Sequence, residues 1–181
     1  MDFILAQAVG LVALLLSAVS FQQNTHKRIM LCQTAAGFLF ALHFYLIGAP
    51  TGAVTNTIAG VRGIIFYHRD KKWAANKVWP VLFCVAFVAS GLLTWQGPLS
   101  LLPIFAMIIN TFTFAATDPA VVRTTILFSS PLWLAYNIVS LSIPGIINES
   151  FVICSTIVGI FRFDRGRLRT LIKERIKKEE Q

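Results

Sequence analysis

Asn56, Asn110, Asn137, Asn148, His43, Trp133, Arg62 and Glu149 all stand inside stretches that are otherwise almost wholly apolar. Amides can hold a neutral polar solute by hydrogen bonds, an imidazole or carboxylate can take up a proton, and an indole can stack on a planar or sugar-like solute. In hydrocarbon such groups are costly, so each must either meet a partner on a neighbouring helix or line a wet path. No H-E-x-x-H, nucleophile elbow, phosphate loop or carboxylate pair accompanies them. Binding is therefore expected rather than bond-breaking, with no cofactor. Cys32, Cys84 and Cys154 fall in separate apolar runs with no CxxC spacing, which fits packing residues and neither a disulfide framework nor a metal site.

Helical phase sorts these residues onto faces. At about 100° per residue, Gly52, Asn56, Ala59, Gly60 and Gly63 share one face of small residues, and Asn148, Val152, Ser155 and Gly159 share another. Asn56 and Asn148 then point toward one central space; either could instead bond across a helix interface. His43 and Asn137 read as a matched polar pair near the outer surface, His43 serving a proton or a backbone carbonyl. Ser130, Trp133 and Asn137 follow helical spacing beside Pro131, while Asn110, with Ser17 as its counterpart, extends the polar lining. Arg62, about 120° around from Asn56, either snorkels to the cytoplasmic surface or has a supporting proton or charge role at the site. Glu149, near an outer helix end, fits an interfacial carboxylate or, if buried, a proton carrier.

The elements that must position them are set by composition. With 56% hydrophobic and 13% charged residues and a mean hydropathy of +0.70, the chain has too little polar side chain to cover a soluble globule. It reads as an all-α integral membrane protein. A bilayer core of about 30 Å needs about 20 apolar residues per helix, and the gaps between charged or turn clusters provide seven such segments, near 3–21, 29–48, 51–67, 78–95, 98–117, 122–142 and 145–163. The third is weakened by Thr51, Thr55, Asn56, Thr57 and Arg62. The first lacks a basic region before it, which argues for a helix rather than a cleaved signal. Trp79 and Trp95 bracket the fourth at headgroup level.

Of 16 Lys and Arg residues, all but Arg62 lie at or beyond alternate helix ends. The turns at Ala49-Pro50, Gln96-Gly97-Pro98 and Ile143-Pro144 carry none, so the positive-inside rule puts the N-terminus outside and the C-terminus in the cytoplasm. The net charge of +8 is spread along one membrane side instead of gathered in a basic groove, which excludes nucleic acid as the partner. In the tail, Leu168, Leu171, Ile172 and Ile176 share a face opposite several Lys and Arg residues. That segment either lies on the anionic inner leaflet or is a solvated basic tail that sets topology.

Breakers, turns and basic ends recur in order: Arg28, Gly37, Pro50, Gly63 and Arg69, then Arg123, Pro131, Pro144, Gly159 and Arg165. This is the pattern of a transporter-type repeat. Residues 1–67 then form a first three-helix repeat, 68–97 a basic cytoplasmic loop with linker helix four, 98–163 a second three-helix repeat and 164–181 a basic cytoplasmic tail. Seven transmembrane helices thus make two parallel three-helix bundles, with helix four as the inverter (3-1-3). Gly37 and Pro131 are the weak points at which helices could hinge.

This plan resembles the SWEET sugar transporters and the wider PQ-loop superfamily. More closely, Phe40-Ala41-Leu42-His43-Phe44-Tyr45-Leu46-Ile47-Gly48, Ser129 through Asn137, and Gly145-Ile146-Ile147-Asn148-Glu149 resemble the YgjV-type family of bacterial inner-membrane proteins. The Pro-Gln dipeptide of PQ-loop units is replaced by Phe21-Gln22, and Pro103 has no Gln beside it. SWEET transporters hold substrate with an Asn on each of two equivalent helices, which the resemblance carries to Asn56 and Asn148. It implies a carrier of a small polar solute in the bacterial inner membrane. A receptor or scaffold on the same fold is the alternative, and an intramembrane enzyme ranks last.

Overall fold

The computed structural model describes residues 3–20, 23, 25–115 and 119–164. Phe21-Gln22 and the tail from Arg165 lie outside the described residues. Seven α-helices are present there: α1 (Phe3–Ser20), α2 (His26–Leu46), α3 (Pro50–Tyr67), α4 (Val78–Leu93), α5 (Leu101–Ala115), α6 (Pro119–Val139) and α7 (Ile143–Gly159). A 3₁₀ turn, Pro98–Ser100, leads into α5, and a π-helical turn, Ile160–Asp164, prolongs α7.

Local chemistry explains the boundaries. Pro50 and Pro144 sit in the first turns of α3 and α7, where a missing N–H costs nothing. Ser142 caps α7, its hydroxyl accepting from the Gly145 N–H at 3.2 Å. Gly48 (φ 76°) and Gly97 (φ 117°) take the left-handed turns between helices. Mid-helix threonines satisfy themselves: Thr55 donates to Thr51 O at 2.7 Å and Thr111 to Met107 O at 2.8 Å. α6 runs unbroken through Pro131.

Among the described residues, three helices are long and apolar enough to cross a membrane, Phe3–Ser20, Lys27–Leu46 and Ile143–Arg162, while Val78–Leu93 and Pro98–Thr113 are apolar but shorter. The expectation of seven segments of about 20 apolar residues is met in helix number and not in uniform length. α4 stops at Leu93 because Thr94 turns its hydroxyl back onto Ser90 O at 2.7 Å, and Gly97-Pro98 begins a tight turn.

Side-chain distribution is inverted relative to a water-soluble bundle. Ile4, Val85, Leu92, Leu93, Phe112, Phe128 and Phe161 are exposed, whereas Ser17, His43, Asn56, Arg62, Thr111 and Asn137 are buried. Apolar solvent outside and polar groups inside is the arrangement that hydrocarbon favours. α1 packs on α2, α2 on α3, α3 on α5, α5 on α6, α6 on α7, and α7 back on α1, with α4 leaning on α3 and α5. Six helices therefore close a cycle around a centre.

The two ends of the bundle differ in charge. At one, Lys27 meets Asp70 at 3.2 Å, joining the start of α2 to the α3–α4 connection, and the Arg123 side chain lies against Gly159. At the other, the cation-free turns meet. Thr51 donates to Thr94 O at 2.9 Å, Gln7 donates to Leu141 O at 2.9 Å, and Ile143 N–H donates to Gln7 Oε1 at 3.2 Å.

Candidate functional site

At the centre of the helical cycle lies a cavity of about 170 Å³. That is below the roughly 300–1,000 Å³ that encloses a drug-sized ligand, so any occupant is small. Asn56 of α3, Asn110 of α5, Asn137 of α6 and Asn148 with Glu149 of α7 all line it, as do Trp133, Arg62 and Gly37. Most of the residues selected by phase thus come together from four different helices.

His43 does not line the cavity. Its ring is fully buried and ties three helices: Nδ1 lies 2.7 Å from Ala6 O and Nε2 2.8 Å from Ser142 Oγ. A carbonyl can only accept, so Nδ1 carries the proton, and in the neutral ring Nε2 then accepts from the Ser142 hydroxyl. Gly10 makes room for this, since a Cβ there would fall 2.7 Å from the imidazole.

The turns before α3 and α7 explain why His43 and Asn137 part company. Gly48 N–H bonds to Tyr45 O and Ala49 N–H to Phe44 O, just as Leu141 N–H bonds to Ile138 O and Ser142 N–H to Asn137 O. In this register Gly48 stands where Leu141 does, and Leu141 too is left-handed (φ 55°). His43 therefore answers to Tyr136, and Phe44 to Asn137. Aligning His43 with Asn137 by sequence slips by one residue, which on a helix is about 100° of rotation. Counted from these two turns, Gly52 and Gly145 stand at the same distance along their helices, as do Asn56 and Glu149.

Arg62 also departs from one expectation. Instead of snorkelling it is buried, donating from Nη1 to Thr111 Oγ1 at 2.7 Å and toward Met107 O at 3.4 Å, with its guanidinium 5.5 Å from the centre of the Phe87 ring. Its stem lines the cavity while its charge turns toward α5 and α4. Acceptors and a ring quadrupole within reach make burial cheaper than the long path to the surface.

Glu149 lies inside too. It is half-buried on the cavity wall and accepts from Asn148 Nδ2 at 3.1 Å. The interfacial placement is corrected, because the α7 face that carries it turns toward α6 and the centre. Pro131 is exposed in the middle of α6 and away from the cavity, whereas Gly37 lies on the wall against Gly60 of α3.

Toward the cation-free end three rings close the space. Phe44, Trp133 and Tyr136 sit with centroids 5.8 Å apart in every pairing, and the Tyr136 hydroxyl accepts from Gly52 N–H at 2.9 Å. Gln33 and Thr34 of α2 line the cavity and were missed by the sequence reading. They share a phase with Gly37 and Phe40, which would have revealed them.

The family profile described as Imp-YgjV, bacterial inner membrane protein, matches residues 4–167. The chain belongs to this Imp-YgjV family. It is also similar to inner membrane protein YgjV of Escherichia coli (strain K12), 24% identical over 174 residues that cover 96% of this chain and 92% of the relative. No solved structure matches the chain. Membership and the apolar helices together support a bacterial inner-membrane location.

Proposed function

We propose that this Imp-YgjV family member is an inner-membrane carrier of a small polar solute, working by alternating access about the central cavity. One observation carries this: a chain with an apolar exterior gathers four asparagines, from α3, α5, α6 and α7, around one small cavity. Burying that many polar groups in a membrane is costly unless they serve a solute or water. The proposal includes two parallel three-helix units, α1–α3 and α5–α7, with α4 as inverter and the N-terminus outside. The matched turns and the reciprocal contacts of α1 with α7 and α3 with α5 support the repeat. Alternate basic helix ends support the orientation. Under it, the Phe44–Trp133–Tyr136 cluster is the outer gate, and the two units rock about the site.

The test is uptake into proteoliposomes across sugars, amino acids, amines and small organic acids. Flux of at least one class above protein-free vesicles is expected, and it should fall when Asn56 or Glu149 is replaced. Saturable binding with no flux in any class would replace the carrier by a receptor.

A further inference from the structure

The polar atoms of the cavity are unequal in kind. Asn56 directs its Nδ2 to Gly52 O at 2.9 Å, leaving its amide oxygen for the cavity. Asn148 directs its Nδ2 to Glu149 at 3.1 Å. Asn137, 2% exposed, has an Oδ1 that is buried without a hydrogen-bond partner beside Gly145 on the wall. Glu149 supplies a carboxylate, and among the described residues no basic side chain forms an ion pair with it. The cation nearest in function, Arg62, spends its guanidinium on Thr111, Met107 and the Phe87 face. The cavity wall thus carries one carboxylate and the Asn56 amide oxygen opposite it, with the Arg62 guanidinium bonded to α5 and the buried rings of Phe44 and Trp133 at its border.

We infer that the solute is a small organic cation, an alkylammonium whose N–H groups face Glu149 and the Asn56 amide oxygen and whose carbon chain lies against Phe44 and Trp133. This deepens the carrier proposal and rests on it for the role of the cavity. An ammonium donates only, so it matches the carboxylate and the amide oxygen. It supplies a counter-charge for Glu149, which a carboxylate inside a membrane bundle requires. Aromatic faces attract cations and bury methylenes as well. A neutral sugar would leave that charge unmatched, and an anion would face it. The equivalence of Asn56 and Glu149 about the two turns places the charged member of the pair on α7, so the site is polar on both sides and charged on one.

Butylammonium, butan-1-ol and butyrate share a chain and differ in head charge, and serve as probes. Their binding to the full chain in nanodiscs is measured by calorimetry at mildly alkaline pH, where a carboxylate is ionised. Butylammonium is expected to bind at least about tenfold more tightly than the other two, and Glu149→Gln to lose about tenfold or more for butylammonium with butan-1-ol unchanged. Butyrate as the preferred probe, equal affinity for the alcohol, or full butylammonium affinity in Glu149→Gln would overturn the assignment. Should that variant fail to fold, Asn56→Ala decides, expected to weaken butylammonium a few-fold; wild-type affinity in it overturns the assignment. Uptake assays keep the two proposals apart. Butylammonium binding without flux sinks the carrier and leaves the cation site, whereas flux of a neutral or anionic solute without butylammonium binding does the reverse.

Discussion

His43 connects α1, α2 and α7 through both ring nitrogens, with no side of the ring left for a solute. Replacing it by Ala strips partners from Ala6 O and Ser142 Oγ and is expected to cost about 1–3 kcal/mol of stability. Unfolding in detergent would show this loss, while solute affinity stays within twofold of wild type, roughly the scatter expected for a distant site. A large loss of binding with normal stability would return His43 to the cavity. Arg62 makes the complementary case. Lys retains the charge but not the planar group that reaches Thr111 and lies over Phe87, so Arg62→Lys is expected to destabilise by about 1–3 kcal/mol. The same unfolding assay checks it; a surface-snorkelling residue would tolerate Lys without change.

Helices in this chain approach one another through glycine at particular points, and these points differ in tolerance. A Cβ on Gly145 would collide with the Asn137 amide and the Ser142 hydroxyl, whereas one on Gly37 meets its nearest neighbour, Gly60, at an ordinary 3.6 Å. Gly145→Ala is expected to cost about 1–3 kcal/mol through overpacking and to weaken solute binding by displacing Asn137. Gly37→Ala is expected to be neutral or stabilising by up to about 1 kcal/mol. If α2 hinges at Gly37, the same variant slows uptake without loss of stability, and unchanged kinetics would remove the hinge. α6 carries its own weak point in Pro131, and Pro131→Ala is expected to slow flux in the same assay. The Lys27–Asp70 pair at the basic end adds little. Hydrogen bonding from Lys27 holds the Asp70 carboxyl below its ordinary value, so its small contribution is present at neutral pH and fades as pH falls through that lowered value.

At the scale of the molecule, the basic ends and the cation-free turns occupy opposite ends of the bundle, and a topology experiment tests the proposed orientation. Reporters fused after Pro50, Gly97 and Pro144 are expected outside, and those after Lys72 and Lys178 in the cytoplasm. A cytoplasmic signal at Pro144 would break the seven-crossing arrangement. Composition and helical phase by themselves determined that this is an apolar helical protein, where its helices lie, and that Asn56, Asn110, Asn137 and Asn148 face inward. Those properties depend on the nearest few residues and on the cost of polar groups in hydrocarbon. Tertiary packing alone decided the rest. It buried Arg62 because Thr111 and Phe87 on other helices reach it, and drew Glu149 onto the cavity wall. It rotated His43 away from Asn137, because the left-handed residues Gly48 and Leu141 set a register between the turns that differs by one residue from the alignment of Pro50 with Pro144. One residue is a small error along the chain and about 100° around a helix axis, enough to exchange a cavity-facing side chain for one that binds helices together.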